Sequence, residues 1–314
     1  MTESIKIRSQ AFLGTMLYRV THITTYEYTE PVSLCQNVAH LTPRCGPGQT
    51  CLETSLAIQP VPAVVIERVD YFGNPSTFFA VQEPHRELTL TAIHHVEVVA
   101  RIGPESGLTL PWEQVRDLLS ADRSREVLDA SQFVCDSRYV RSTTELAEYA
   151  RSSFGVGRCI LEAVLDLTAR IHADFEYDPQ STTVATALSE VFAQRRGVCQ
   201  DFAHLQIACL RSLGLAARYV SGYLSTEPPP GYVPLIGADA THAWLSVFCP
   251  GLGWIDVDPT NNQIPAEGHI LLAWGRDYDD VSPVKGVVLG GGQHSVNVSV
   301  LVERLTEAEP VAIA

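Results

Sequence analysis

A cysteine, a histidine and two aspartates occupy positions in this chain from which they could carry out covalent chemistry on a carbonyl group. Cys199 follows Gly197-Val198 and opens the run CQDFAHLQIACLRSLG. There Phe202, Leu205, Cys209 and Leu213 form one apolar stripe, which Ala203, Ile207 and Leu210 widen. This spacing predicts a largely buried helix that begins at the cysteine and ends at Gly214. A thiol attacks as its thiolate, and the unpaired N–H groups and dipole of a helix N-terminus favour negative charge. The same groups could hold a developing oxyanion at about 3 Å, provided Gly197 lets the preceding backbone come close.

A base is offered by HAWLSVF, where period-2 alternation puts His242, Trp244, Ser246 and Phe248 on one face, with His242 at the strand start. An imidazole in that role needs a carboxylate on its other nitrogen. GWIDVD presents Asp256 and Asp258 on one face, and spacing alone does not choose between them. Each residue also has a plainer use: Cys199 as filler at a helix start, His242 as a satisfied structural histidine, and Asp258, before Pro259, as a turn carboxylate. His204, five positions beyond Cys199, points away from the helix mouth and is expected to pack or to bond a neighbouring element. Cys199, His242 and Asp258 are also competent zinc ligands, a further reading of the same set.

The elements that must position these residues fall into a sequence of segments. Residues 1–16 read as a disordered extension, with Met16 a candidate true start. From 17 to 103, runs such as YRVTHITTYEY, TFFAVQ and LTLTAIHHVEVVA, broken by PRCGPGQ and YFGNPS, predict a β-rich N-terminal domain. Residues 104–155 read as a connecting segment with one helix-like stretch around PWEQVRDLLS. Ile160, Val164, Leu167, Thr168 and Ile171 recur at helical spacing, as do Val184, Ala187, Leu188, Val191 and Phe192. The second of these helices should stop at Gly197 in a left-handed C-cap. ARYVSGYL, HAWLSVF and GWIDVD then read as strands, the first two joined by the Pro/Gly-rich loop 226–241, and residues 156–265 form the candidate catalytic core. Residues 266–314 hold C-terminal strands and a tail.

The balance of 22 Lys+Arg against 36 Asp+Glu, a net charge of -14, leaves no long basic run suited to a phosphate backbone, so nucleic acid is not an expected partner. No apolar run approaches the roughly 20 residues of a membrane span. Eight cysteines are scattered without a C-x-x-C pair, and no sustained apolar leader precedes the domains, so reduced thiols and a cytoplasmic location are expected.

The blocks RRGVCQDFAHLQIACLRSLGLAARYVSGYL and DATHAWLSVFCPGLGWIDVDPTNN resemble the core of the transglutaminase-like superfamily. The bacterial branch with a separate N-terminal domain is the specific match: YRVTHITTYEYTEPVSLCQNVAHLTPR with DYFGNPSTFFAVQEPHREL is similar to that domain, and GRDYDDVSPVKGVVLGGGQH to the usual end. The resemblance implies an α+β protein in which a helix carrying the cysteine packs on an antiparallel sheet, a papain-like core. It implies Cys199 as nucleophile, His242 as base and Asp258, rather than Asp256, as third member. It also implies acyl-enzyme chemistry on peptide or isopeptide bonds of a peptide or protein substrate, with no cofactor, water being the expected acceptor and a primary amine the alternative. The competing class is a non-enzymatic interaction scaffold, which an unreactive Cys199 with tight, stoichiometric partner binding would mark.

Overall fold

In a computed structural model, residues 12–101, 103–225 and 241–305 are described. Five strands open the chain: β1 (Phe12–Ala39), β2 (Gln49–Gln59), β3 (Val64–Val69), β4 (Pro75–Val81) and β5 (His85–Arg101). They form an antiparallel sheet of order β2-β5-β1-β4-β3. Alternation sets its inner face, where Tyr18, Val20, His22 and Thr24 of β1 are buried. Residues 1–11 lie outside the described residues. Phe12–Met16, expected in a disordered extension, instead begin β1, because β5 runs on to Arg101 and supplies ladder partners for Met16, Gly14 and Phe12.

The segment expected to be a connection folds as three short helices, α1 (Trp112–Ala121), α2 (Arg125–Ser131) and α3 (Thr144–Arg151). Their apolar sides, with Val115, Leu119, Val127, Ala130, Leu146 and Ala150, join the main core, so 104–155 is part of the packed body rather than a tether. Seven to ten residues per helix is too short for the periodicity to stand out from the polar text around it. Next come α4 (Ile160–Asp174), β6 (Glu176–Tyr177), α5 (Leu188–Gln194), β7 (Arg196–Gly197) and α6 (Cys199–Ser212). α4 carries the expected buried stripe, whereas α5 begins only at Leu188 and leaves Val184 exposed.

The rest of the core is β8 (Ala217–Leu224), β9 (His242–Cys249), β10 (Gly253–Val257) and β11 (His269–Gly275), a fully antiparallel sheet of order β10-β9-β8-β11 on which α6 packs. Every residue of α6 from Asp201 to Arg211 is buried. Gly214 ends the helix as expected, at φ +79° with its N–H on the Arg211 carbonyl. After α7 (Tyr278–Val281), the strands β12 (Val284–Gly290) and β13 (His294–Leu305) return to the first sheet and pair with β1. The architecture is the expected α+β one, an antiparallel N-terminal sheet followed by a core with its cysteine-bearing helix on an antiparallel sheet.

The two sheets meet along β11, one of the two outer strands of the core sheet. Gln49 pairs its side-chain amide both ways with the Leu271 backbone, donating to the carbonyl and accepting from the N–H at 2.7 Å each. Asn74 does the same at Trp274, at 2.8 and 3.0 Å. Two side chains of the N-terminal region thus stand in for a neighbouring strand and satisfy an edge that would otherwise be open. The Trp274 ring is stacked by two guanidinium groups, Arg44 at 3.6 Å and Arg218 at 3.7 Å.

Candidate active site

Cys199 is the first residue of α6 and is half-buried. The turn before it is held by Asp201, whose Oδ2 accepts the Val198 N–H at 2.9 Å and the Thr182 hydroxyl at 2.7 Å. Burial pushes the Asp201 carboxyl up, and those two donors pull it back. The left-handed residue that ends α5 is Arg195, at φ +56°, and not Gly197 as expected. The Arg195 guanidinium packs over Phe192 at 4.3 Å and Phe175 at 4.8 Å. Gly197 has a different necessity: a Cβ there would sit 2.8 Å from Asp201 Oδ2, so the glycine makes room for the group that holds the cysteine turn.

His242 begins β9, fully buried, and its Nε2 lies 2.9 Å from Asp258 Oδ2. Its Nδ1 has no hydrogen-bond partner among the described residues, and Cys199 is one of the groups that favour the protonated ring. Burial alone would lower the imidazole pKa. The Asp258 carboxylate overrides that and, with Cys199, raises it to about 10. Burial would likewise raise Asp258, but His242 and then His269 hold it well below the usual carboxylate range. At neutral pH the pair is therefore imidazolium and carboxylate, which leaves the sulfur beside a positive charge.

The alternative aspartate is committed elsewhere. Asp256 accepts from Trp244 Nε1 at 3.2 Å and from the Ser246 hydroxyl, and it faces Arg218, whose guanidinium burial lowers to about 9. Asp258 lies one residue past the end of β10, where its Oδ1 accepts the Thr260 and Asn261 N–H groups at 2.9 and 3.2 Å. His204 packs between Tyr139 and Tyr219 and accepts the Tyr278 N–H at 3.1 Å, away from Cys199. Of the Pro/Gly-rich loop 226–241, residues 226–240 lie outside the described residues.

Sequence reading missed His269. Its Nε2 also reaches Asp258 Oδ2, at 3.1 Å, from the start of β11, and nothing in EGHILLAWG marks it out. The cluster with ligand-type atoms all within 4.8 Å is accordingly His242, Asp258 and His269, and not the set containing Cys199 that a zinc reading names. Both imidazoles pack against Trp244, with ring centroids 5.9 and 5.2 Å away. Gly222 lets that indole in, since a Cβ there would lie 2.3 Å from the Trp244 ring and 2.2 Å from the Ile270 carbonyl oxygen.

Chemically, the arrangement places a thiol at a helix start, next to a buried imidazole fixed by a carboxylate. Residues 18–97 match the bacterial transglutaminase-like N-terminal region, and residues 147–259 match the transglutaminase-like superfamily core. The chain is 43% identical over 293 residues to the uncharacterized protein Rv2569c of Mycobacterium tuberculosis, which covers 90% of this chain and 91% of the relative. It is 34% identical over 297 residues to the uncharacterized protein ML0607 of Mycobacterium leprae, covering 91% and 98%. A protein-glutamine gamma-glutamyltransferase of Pseudomonas aeruginosa matches over 123 residues at 31% identity, 38% of this chain and 18% of that one. A solved structure from Cytophaga hutchinsonii, described as a candidate cysteine protease, shares the fold with a TM-score of 0.74 at 24% identity, covering 96% of this chain and 94% of its own. With its paired N-terminal region and core, the chain belongs to the transglutaminase-like superfamily.

Proposed function

We propose that the protein is a cysteine enzyme that hydrolyses amide bonds of peptides or proteins through a thioester on Cys199. The observation that carries this reading is the buried 2.9 Å contact between His242 and Asp258 beside a cysteine at a helix start. The Cys199 thiolate attacks the amide carbonyl, and the oxyanion forms against backbone N–H groups at the start of α6, which have no partner within the helix. Imidazolium His242 gives its proton to the departing amine as the C–N bond breaks, leaving the thioester. Water then attacks, His242 takes its proton, and the carboxylic acid leaves as the thiol is restored. Asp258 holds the ring in one orientation and stabilises its charged form. Water is the acceptor in this reading because it needs no binding site of its own.

A primary amine as acceptor is the second reading, suggested by the name of the Pseudomonas aeruginosa protein. Incubating the protein with a casein substrate, with and without a fluorescent primary amine, separates the two by mass spectrometry. Hydrolysis shows as new carboxyl termini or deamidated glutamine, whereas transfer shows as amine-bearing product. Both must vanish in Cys199→Ala with the fold retained by circular dichroism, and turnover surviving in that variant sinks the proposal. The same reading places the protein in the cytoplasm, where thiols stay reduced, in keeping with eight free cysteines.

A further inference from the structure

We propose that His269 is a positioning residue for the Cys199–His242 pair: it donates from Nε2 to Asp258 Oδ2 and so keeps that oxygen aimed at His242. The inference rests on the functional reading above and adds a fourth side chain to its machinery.

Asp258 is fully buried, so every lone pair it turns away from water needs a donor from the protein. Oδ1 takes the Thr260 and Asn261 backbone N–H groups. Oδ2 takes three side-chain donors: Asn261 Nδ2 at 2.8 Å, His242 Nε2 at 2.9 Å and His269 Nε2 at 3.1 Å. Thr260 and Asn261 belong to the turn that carries Asp258 itself and move with it. His242 is the group to be oriented. Among these donors, His269 therefore supplies the fixed external reference, because it stands on a different strand and meets the same oxygen as His242.

That strand is itself held. β11 pairs with β8 along one edge, and Gln49 and Asn74 bind its backbone along the other. The His269 ring meets Trp244 edge-on at 5.2 Å, and the same indole stacks on His242. The two imidazoles are thus braced on one indole and joined through one carboxylate oxygen. A rotation of the Asp258 carboxyl that would release His242 would also break the bond to His269. Seen from the sheet, the N-terminal region reaches the active centre through β11.

The test begins on the thiol itself, without substrate. The rate of Cys199 alkylation by iodoacetamide is followed by mass spectrometry against pH in wild type, His269→Leu, which keeps bulk but has no donor, and His269→Gln, whose side-chain N–H₂ can replace the lost one. Loss of positioning makes the imidazolium harder to form, so in His269→Leu the limb of the Cys199 alkylation profile moves to higher pH by about half a unit or more. His269→Gln recovers at least half of that shift. Turnover per alkylatable site falls about 10- to 100-fold in His269→Leu with KM within about two-fold, the size expected for an outer-shell partner. An unmoved limb, or one moved downward because Asp258 is left more basic, overturns the inference, as does a Gln variant no better than Leu. A merely structural role would lower the fraction of folded protein and leave the limb of the folded fraction in place. If wild-type Cys199 shows no selective reactivity, the functional reading fails instead. If it reacts selectively and His269→Leu matches it, only this inference fails.

Discussion

At the scale of single residues, the two aspartates of GWIDVDPT make a controlled pair, since they differ by two positions and share a chemical type. Asp258→Asn places an amide against His242 and removes the charge that raises the imidazole, and turnover is expected to fall by about three to four orders of magnitude. Asp256→Asn touches Trp244, Ser246 and Arg218 instead. It should leave turnover per folded molecule within about three-fold but cost about 1–3 kcal/mol of stability, read by chemical denaturation, because the buried Arg218 loses its counter-charge. Background labelling in the cysteine assay should be low at Cys209 and Cys249, whose thiols burial pushes up to about 12. Residue types and order drew Cys199 and His242 into one candidate site, but period-2 spacing treated the two aspartates as equals. Only the end of β10 after Val257 separates them, by turning Asp258 into the turn that binds its Oδ1.

At the scale of elements, β11 is the strand whose placement the sequence does not announce. Its edge is satisfied by side chains more than 190 positions away, from the PRCGPGQ and YFGNPS turns that read only as turn chemistry. Gly73 does take the left-handed conformation there, at φ +79°, while Asn74 serves through its side-chain amide. Gln49→Ala leaves the Leu271 N–H and carbonyl without those bonds, and about 1–3 kcal/mol of stability should be lost. If β11 transmits order to Asp258, Cys199 alkylation in that variant should also require higher pH, by less than in His269→Leu. A second expectation concerns the cysteine turn: Gly197→Ala must displace Asp201 and with it the Val198 and Thr182 contacts. Cys199 reactivity should drop by about ten-fold while α6, buried along its whole middle, stays formed in circular dichroism; the energy involved, roughly 1–2 kcal/mol, is that of a lost helix cap.

For the whole molecule, three buried histidines outside the candidate triad set the response to acid. Burial lowers His22 and His94 to about 4 and His204 to about 3. Unfolded, each would titrate near 6.5, so the neutral rings contribute stability that is complete above that pH and is lost as pH falls towards the folded values. Between about pH 6.5 and 5, stability should decline by up to about 1.4 kcal/mol per pH unit for each ring. His242 works in the opposite sense: well below 6.5 it is protonated in both states and adds no slope, and the stability it contributes is lost as pH rises from about 6.5 towards about 10. Denaturation midpoints at pH 7, 6 and 5 check the sum. His204→Gln, whose carbonyl can still accept the Tyr278 N–H, should remove about a third of the slope.

By itself, the sequence determined what is encoded locally: an apolar stripe that makes α6 a core helix, a cysteine at its first residue, and alternation that makes HAWLSVF a strand with His242 at its start. These are short-range properties of side-chain period and backbone preference, and the packed chain respects them. Tertiary structure alone decided that residues 104–155 join the core, that β12 and β13 complete the first sheet, and that His269 shares Asp258, and it separated by geometry two aspartates that spacing left equal. Each of those depends on contacts between positions brought together only when the two sheets close on β11, and no local period records a partner so far along the chain.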